Sequence, residues 1–225
     1  MARPARSLAA TALLTTAALL TPATALAQLR WDVGAQAGVM KRITTGGDPG
    51  APSPGFGPAF QVQGHVALLP MIRVGLYLAQ DTSPASGIGP RTFWEGGLHA
   101  RFAPPLLSGK WRTWLAAGFG YAYTYASSYH ARENIVPGGP SVDVPVTSVD
   151  GGLLEIPLAV GLGYKATGPF TLFVELGGRF GVGFFGAMYR DGASGNVGGA
   201  SVIPQPFMGQ DSFALSLSVG LSLDE

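Results

Sequence analysis

The residues in this sequence best suited to acid–base chemistry are its histidines, which are His65, His99 and His130. His99 lies four residues after Glu95 and two residues before Arg101. In an extended strand this spacing puts the three side chains on one face, because alternate residues point the same way. Such a set could transfer protons, but the pattern places no nucleophile beside it. We therefore expect His99 to belong to a polar interior rather than to a catalytic site.

His130 stands in a second candidate site, the segment SSYHARE, with Ser127, Ser128 and Glu133. These residue types occur in lipid-hydrolysing and acyl-transferring sites, where a base activates a hydroxyl nucleophile. The same types are also common in polar loops. We predict that the protein is not an enzyme.

Other ionisable residues recur at alternate positions within otherwise apolar segments. The positions between them are apolar, so each segment predicts a strand with one polar and one apolar face. The residues predicted on the polar faces are Arg30, Asp32, Arg73, Glu95, His99, Arg101, Arg112, Glu155, Lys165, Glu175 and Arg179. Charges removed from water must be paired to offset their desolvation. The set could form a structural network of ion pairs, or it could line a narrow or gated pore.

The segment 170–185, FTLFVELGGRFGVGFF, shows this pattern most clearly. Glu175 and Arg179 share one parity, and the opposite parity carries no polar side chain. A strand of this length can cross the hydrocarbon core of a membrane even when tilted by about 45°. The segment therefore predicts a transmembrane strand.

Seven other segments alternate in the same way, which predicts an all-β fold: an eight-stranded antiparallel up-and-down transmembrane β-barrel. The predicted strands cover residues 29–41, 59–69, 72–80, 91–102, 111–125, 153–165, 170–185 and 211–223. Long loops are predicted at 42–58, 81–90, 126–150 and 186–209, where Gly, Pro and polar residues are concentrated. Short turns are predicted between the remaining strands. Short turns at one end and long loops at the other are typical of barrels with periplasmic turns and extracellular loops.

Aromatic residues of different strands fall at two levels of the predicted apolar surface, as interfacial girdles do. The predicted girdle residues are Trp31, Trp94, Trp111, Tyr121, Tyr123, Tyr125, Tyr164, Phe170 and Phe184. A soluble barrel would also alternate, but its apolar face would point inward. The girdles, the strand lengths and the unequal loops favour an apolar face that contacts lipid.

The N-terminal residues 1–27 have the composition of a secretory signal peptide, which leaves 28–225 as the barrel domain. Arg3 and Arg6 precede a short apolar run, and Ala25-Leu26-Ala27 forms an A-x-A cleavage site. An uncleaved membrane anchor is the alternative.

Charge and cysteine content exclude several functions for the remainder of the chain. Without Arg3 and Arg6 it carries 12 Lys and Arg against 13 Asp and Glu, so no basic surface for nucleic acid is expected. The sequence has no cysteine, which excludes disulfides and thiolate metal sites. No loop has the ligand spacing of a Ca²⁺ site. We expect no metal and no cofactor.

With eight strands in place, residues 28–225 resemble the small eight-stranded outer-membrane barrels, including the transmembrane domain of the outer membrane protein A type. The resemblance is one of pattern, and the sequence departs from it by ending in LSLDE rather than in an aromatic residue. It implies a monomer in the bacterial outer membrane that contacts lipid and lipopolysaccharide. It also implies periplasmic chaperones and the barrel assembly machinery as partners. The expected role is structural, or interaction with an unknown surface partner through loops 42–58, 126–150 and 186–209.

The turn at 166–169 also predicts one contact inside the barrel. Folding the strands on either side about this turn brings Glu155 level with Arg179 to within about two residues. The register therefore predicts a Glu155–Arg179 ion pair.

Overall fold

A computed structural model shows how these segments are arranged. It describes residues 30–47, 49, 53–85, 88–125, 128–134, 141–147, 150–186, 196–197, 200–201 and 209–224. The predicted signal peptide lies outside the described residues.

Eight strands form one closed antiparallel barrel. They are β1 (Trp31–Thr45), β2 (Phe56–Leu69), β3 (Ile72–Ala85), β4 (Ile88–Phe102), β5 (Trp111–Thr124), β6 (Gly151–Lys165), β7 (Phe170–Gly186) and β8 (Gln210–Asp224). Each strand pairs with its neighbours in the chain, and β8 pairs with β1 to close the sheet. The predicted eight-stranded up-and-down barrel is confirmed.

The two faces of the barrel wall differ as the alternation predicts. On β7, Leu172 and Leu176 are each 54% exposed, whereas Glu175 and Arg179 are 5% and 7% exposed. The same division runs round the barrel, with apolar side chains outside and polar ones inside. The outer surface is therefore suited to lipid and the lumen to ionic contacts.

None of the described residues forms a helix long and apolar enough to cross a bilayer.

The two ends of the barrel carry different connections. Residues 70–71, 103–110 and 166–169 connect the strands at the end where β1 begins, which we call the turn end. Residues 46–55, 86–87, 125–150 and 187–209 connect the strands at the opposite end, which we call the loop end.

The predicted loop at 81–90 is wrong, because β3 and β4 remain paired almost to their tip. Ser83 is opposite Arg91 and Ala85 is opposite Ile88, which leaves two residues between the strands. The Gly, Pro and polar residues of this segment are compatible with paired strands. Pro84 lies at a register shift, a position where a strand tolerates the missing N–H of proline.

The predicted loop 42–58 is also shorter than expected, and two other predicted loops contain paired strands. β1 continues to Thr45 and β2 begins at Phe56, so the predicted loop 42–58 is cut at both ends. The backbone of the predicted loop 126–150 contains a hairpin formed by Ser128–Asn134 and Ser141–Thr147. Within 186–209, Asn196–Val197 pairs with Ala200–Ser201. The polar, Gly- and Pro-rich composition of these segments did not predict strands, because residues beyond the apolar part of the wall do not alternate between apolar and polar.

Two glycines are required by local geometry. Gly183 has φ of +63° and lies where the pairing of β6 with β7 changes register, a conformation that residues with a Cβ rarely adopt. After this shift both Phe184 and Phe185 are exposed. A Cβ at Gly161 would overlap the ring of Trp114, so this glycine makes room for a large side chain in the lumen.

The orientation of the wall predicts the effect of a charge on its outer face. Leu98 is 65% exposed and lies midway between Trp94 and Phe102 on β4. We expect Leu98→Arg to lower the free energy of unfolding in lipid vesicles by about 2–4 kcal/mol, the cost of a charge at the bilayer midplane.

The matched control for this change is Leu106→Arg. Leu106 is 72% exposed in the connection 103–110, outside the wall, and its substitution should change stability by less than about 0.5 kcal/mol. Equal effects of the two changes, measured by denaturant titration in vesicles, would contradict a lipid-facing Leu98.

Candidate functional site

The lumen near the loop end is organised around the guanidinium of Arg42. Its Nε and Nη2 atoms donate to both carboxylate oxygens of Asp81, at 3.0 and 2.6 Å. Nη1 donates to Glu155 at 2.9 Å, and Nη2 also contacts Glu95. The ring of Phe93 packs 3.9 Å from the guanidinium carbon. One cation thus serves three carboxylates that come from three different strands.

Arg179 on β7 completes this cluster. It forms ion pairs with Glu95 and with Glu155, the latter at 3.4 Å, and it donates to Gln61 at 3.1 Å. Glu155 is opposite Gly181 in the sheet, two residues from Arg179. The structure therefore contains the ion pair predicted from the turn at 166–169. We call Arg42, Asp81, Glu95, Glu155 and Arg179 the loop-end cluster.

A second group of charges lies nearer the turn end and is centred on Asp32. Its carboxylate accepts hydrogen bonds from Arg73 at 2.5 Å and from His65 Nδ1 at 2.9 Å, and Arg101 is 3.7 Å away. His65 Nε2 lies 3.1 Å from His99 Nδ1. When Nδ1 of a neutral His65 donates to Asp32, Nε2 must accept from His99. The two histidines therefore extend the carboxylate's hydrogen bonding across the lumen.

Aromatic rings hold the last members of this group in place. Arg101 stacks 4.9 Å from the ring of Trp114 and 5.9 Å from that of Phe173. Trp114 Nε1 donates to Glu175 at 3.0 Å, and Arg101 Nη2 is 3.5 Å from the same carboxylate. We call the group the turn-end cluster: Asp32, His65, Arg73, His99, Arg101 and Glu175.

The remaining predicted charges lie at the mouth of the turn end. Arg112 forms a 2.9 Å ion pair with Asp224, which also accepts a hydrogen bond from Thr171. Lys165 is half-buried, and its backbone N–H donates to the carbonyl of Lys110. These two cations are thus separate from the clusters deeper in the lumen.

Between the two clusters lies a cavity of about 40 Å³. Its lining includes Gln36, Tyr77, His99, Glu175 and Arg179. A space of this size holds at most a few water molecules. The Tyr77 hydroxyl and the side-chain amide oxygen of Gln36 have no protein partner among the described residues. Both residues line the cavity, so these atoms are suited to bind such water.

The aromatic residues predicted as girdles lie on the outer wall. Trp31, Trp94, Trp111, Tyr121, Tyr125, Tyr164, Phe170 and Phe184 are each between 38% and 66% exposed. Tyr123 is half-buried; it packs against Tyr125 and Phe185, and its hydroxyl donates to Asp150 at 2.8 Å. Trp111 and Tyr164 contact each other edge to face at the turn end.

Sequence reasoning missed two members of the loop-end cluster. Arg42 and Asp81 were assigned to the loops 42–58 and 81–90, although both are at most 2% exposed inside the barrel. Their parity could have revealed them, because Arg42 continues the polar positions of Gln36 on β1 and Asp81 continues those of Tyr77 on β3.

The described residues contain no group of three or more His, Asp and Glu side chains that could hold a metal ion. The side chain of His130 lies outside the described part of the chain. His65 and His99, the two described histidines, are both engaged in the turn-end cluster.

A closed eight-stranded antiparallel barrel with an apolar outer wall and an ionic lumen has the architecture of the small outer-membrane barrels. Solved structures of that class match this chain. A major outer membrane protein from Thermus thermophilus is 15% identical, with a TM-score of 0.56 over 88% of this chain and 99% of that one. Neisserial surface protein A is 10% identical, with a TM-score of 0.54 over 86% of this chain and 96% of that one. No family model and no curated protein sequence matches.

At these identities the likeness concerns the fold. The resemblance to small outer-membrane barrels is confirmed at that level.

The geometry of the loop-end cluster predicts a large cost for removing its shared cation. Arg42→Met preserves much of the side-chain volume but removes the guanidinium that pairs with Asp81, and it leaves Glu95 and Glu155 to share Arg179. We expect the free energy of unfolding in lipid vesicles to fall by about 3–5 kcal/mol, the usual effect of breaking a buried ion pair.

The neighbouring Lys41 provides the control. It lies on the outer face, with its ammonium 5.3 Å from the ring of Phe56. Lys41→Met removes the same charge at nearly the same level and should cost less than about 1 kcal/mol. A comparable loss from both variants would show that Arg42 acts through net charge and not through its buried contacts.

Proposed function

We propose that this protein is a closed outer-membrane barrel that acts as a structural and surface-interaction scaffold and does not conduct solutes. The observation that carries the proposal is the filled lumen. Within the loop-end cluster, ion pairs join β1 to β6 and β4 to β7, and within the turn-end cluster His65 on β2 contacts His99 on β4. The cavity between the two clusters measures about 40 Å³. An eight-stranded barrel is only wide enough for side chains to fill its interior.

The outer wall supports a location in the outer membrane. The strands are 14 to 17 residues long, whereas about 9–11 tilted residues suffice to cross a bilayer. We propose that the turn end faces the periplasm and the loop end the cell exterior, because outer-membrane barrels have short periplasmic and long extracellular connections.

We further propose a monomer that contacts outer-membrane lipid and lipopolysaccharide, and that reaches the membrane with periplasmic chaperones and the barrel assembly machinery. The closed sheet supports the monomer, because pairing of β1 with β8 leaves no strand edge of the barrel for a second copy. The exposed apolar wall supports the lipid contacts and the need for chaperones before insertion.

We propose that the protein is not an enzyme. His65 and His99 are 2% and 5% exposed and hydrogen-bond to each other within the lumen. A general base in that position has no path to a lipid substrate on the outer wall.

A gated pore is the rival function, because the charged side chains of the two clusters would line it if they rearranged. Recordings from planar bilayers separate the two functions. We expect refolded protein, with insertion verified by heat-dependent gel mobility, to show no resolvable unitary current.

Steady unitary currents from the inserted protein would contradict the closed barrel. Whether such currents pass through the lumen can be tested with Arg101→Gln, which removes one charge of the turn-end cluster. A pore through this lumen would change its ion selectivity in that variant, whereas a leak at the edge of the protein would not.

The scaffold role also predicts that the loop-end connection 125–150 is dispensable for folding. Its hairpin pairs within itself, between Ser128–Asn134 and Ser141–Thr147, and β5 pairs with β6 without it. Replacing residues 126–149 by a short Gly-Ser linker should change the free energy of unfolding by less than about 1 kcal/mol, because loop-closure entropy varies slowly with length.

Heat-dependent mobility and denaturant titration in vesicles measure this outcome. Removing residues 104–107 from the turn end serves as the contrasting change, because the N–H of Ala103 beside them hydrogen-bonds to Met71. Loss of the folded barrel after replacement of 126–149 would mean that the loop is part of the fold.

A further inference from the structure

The mouth of the turn end contains a second, larger cavity, of about 340 Å³. We call it the turn-end vestibule. Its wall is formed by the first residues of β1, the connection 103–110 and the turn-end halves of β3, β4, β5, β7 and β8. This volume lies within the usual range for small-molecule sites. It is separate from the cavity between the clusters, which lies deeper in the lumen.

Cations outnumber anions on the described wall of the vestibule. Four guanidinium groups line it, against two carboxylates. The lining ions are Arg30, Arg73, Arg101, Arg112, Asp32 and Asp224. Asp32 contacts both Arg73 and Arg101, and Asp224 contacts Arg112. Each arginine carries five N–H donors, so these pairs leave donors available.

Two buried donors in this wall, Nε and Nη2 of Arg101, have no hydrogen-bond partner among the described residues. The Arg101 side chain is only 8% exposed, and its ion-pair distances of 3.5 and 3.7 Å are too long for hydrogen bonds. Unsatisfied buried donors are costly, and both can donate to the same guest.

The Arg101 guanidinium is also fixed before any guest arrives. Trp114 and Phe173 pack against Arg101, and Glu175 fixes the indole of Trp114 through a 3.0 Å hydrogen bond. A rigid guanidinium presents two parallel N–H groups, which match two oxygens of a carboxylate or phosphate. Preorganisation of this kind lowers the entropy lost on binding.

We propose that the turn-end vestibule is a binding site for a small oxyanion, a phosphate or carboxylate group. Arg101 forms its base through Nε and Nη2, and Arg112 and Arg73 contribute their remaining N–H groups at the rim. That the anion enters from the periplasm rests on the orientation proposed above. The site itself depends only on the geometry of the vestibule.

Titration calorimetry with inorganic phosphate, on protein refolded in dodecyl maltoside, tests the site independently of membrane orientation and conductance. Wild-type protein should bind one phosphate saturably. Arg101→Gln should weaken binding roughly tenfold or more, the effect of a charge-assisted hydrogen bond. Heat-dependent mobility verifies that each variant is folded.

Lys110→Gln is the matched control. Lys110 lies at the same end, but its ammonium is 5.8 Å from the ring of Tyr164 and does not line the vestibule. The affinity of the Lys110→Gln variant for phosphate should stay within about twofold of wild type, because only a solvent-screened charge near the mouth is removed. Absence of saturable binding to wild-type protein would overturn the proposal. So would a loss in Lys110→Gln equal to that in Arg112→Gln, which would indicate general attraction by the mouth.

Micelles that contain phosphatidylglycerol distinguish two sources of the anion. Competition between the lipid and inorganic phosphate in wild-type protein, absent in Arg101→Gln, would assign the site to a lipid headgroup. Unchanged phosphate affinity would assign it to a soluble anion. Either result supports the vestibule as an oxyanion site.

Discussion

The guanidinium of Arg42, on β1, contacts carboxylates on β3, β4 and β6. These contacts join β1 to strands with which it does not pair in the sheet. Hydrogen bonds of the sheet join only neighbouring strands, so they leave the cross-section of the barrel free to flatten. The ion pairs of Arg42 and Arg179 span the lumen and fix it. Their desolvation is offset only because every carboxylate in the cluster meets a guanidinium, which is why one arrangement of strands is favoured over others.

The two clusters offset the desolvation of their buried charges in different ways. The loop-end cluster is made almost entirely of formal charges at short distances. The turn-end cluster instead combines one central carboxylate, two histidines and the rings of Trp114 and Phe173. Arginine N–H groups remain without partners in the second cluster but are satisfied to a greater extent in the first.

The outer wall explains how a chain only 10% to 15% identical to other barrels shares their fold. Lipid requires only that alternate residues be apolar, and many side chains meet that requirement equally well. The lumen is more demanding, because a charge there needs a partner at the right level on another strand. The identity of a particular barrel is therefore concentrated in its lumen and its connections rather than on its surface.

The sequence by itself determined the number of barrel strands, the face on which most of their side chains lie and the paired strands that meet at short turns. Alternation is a local property, and the turn at 166–169 is short enough to set the Glu155–Arg179 register. The ends of the strands were not local: Arg42 and Asp81 are 39 residues apart in the chain and lie in stretches whose composition indicates loops. Only the tertiary structure decided that they meet, because the level of a residue in a barrel depends on the tilt of the strands and on the closure of β1 against β8. The vestibule depends on closure in part: Arg73, Arg101 and Arg112 lie on the neighbouring strands β3, β4 and β5, but Asp32 and Asp224 join them only because β1 pairs with β8.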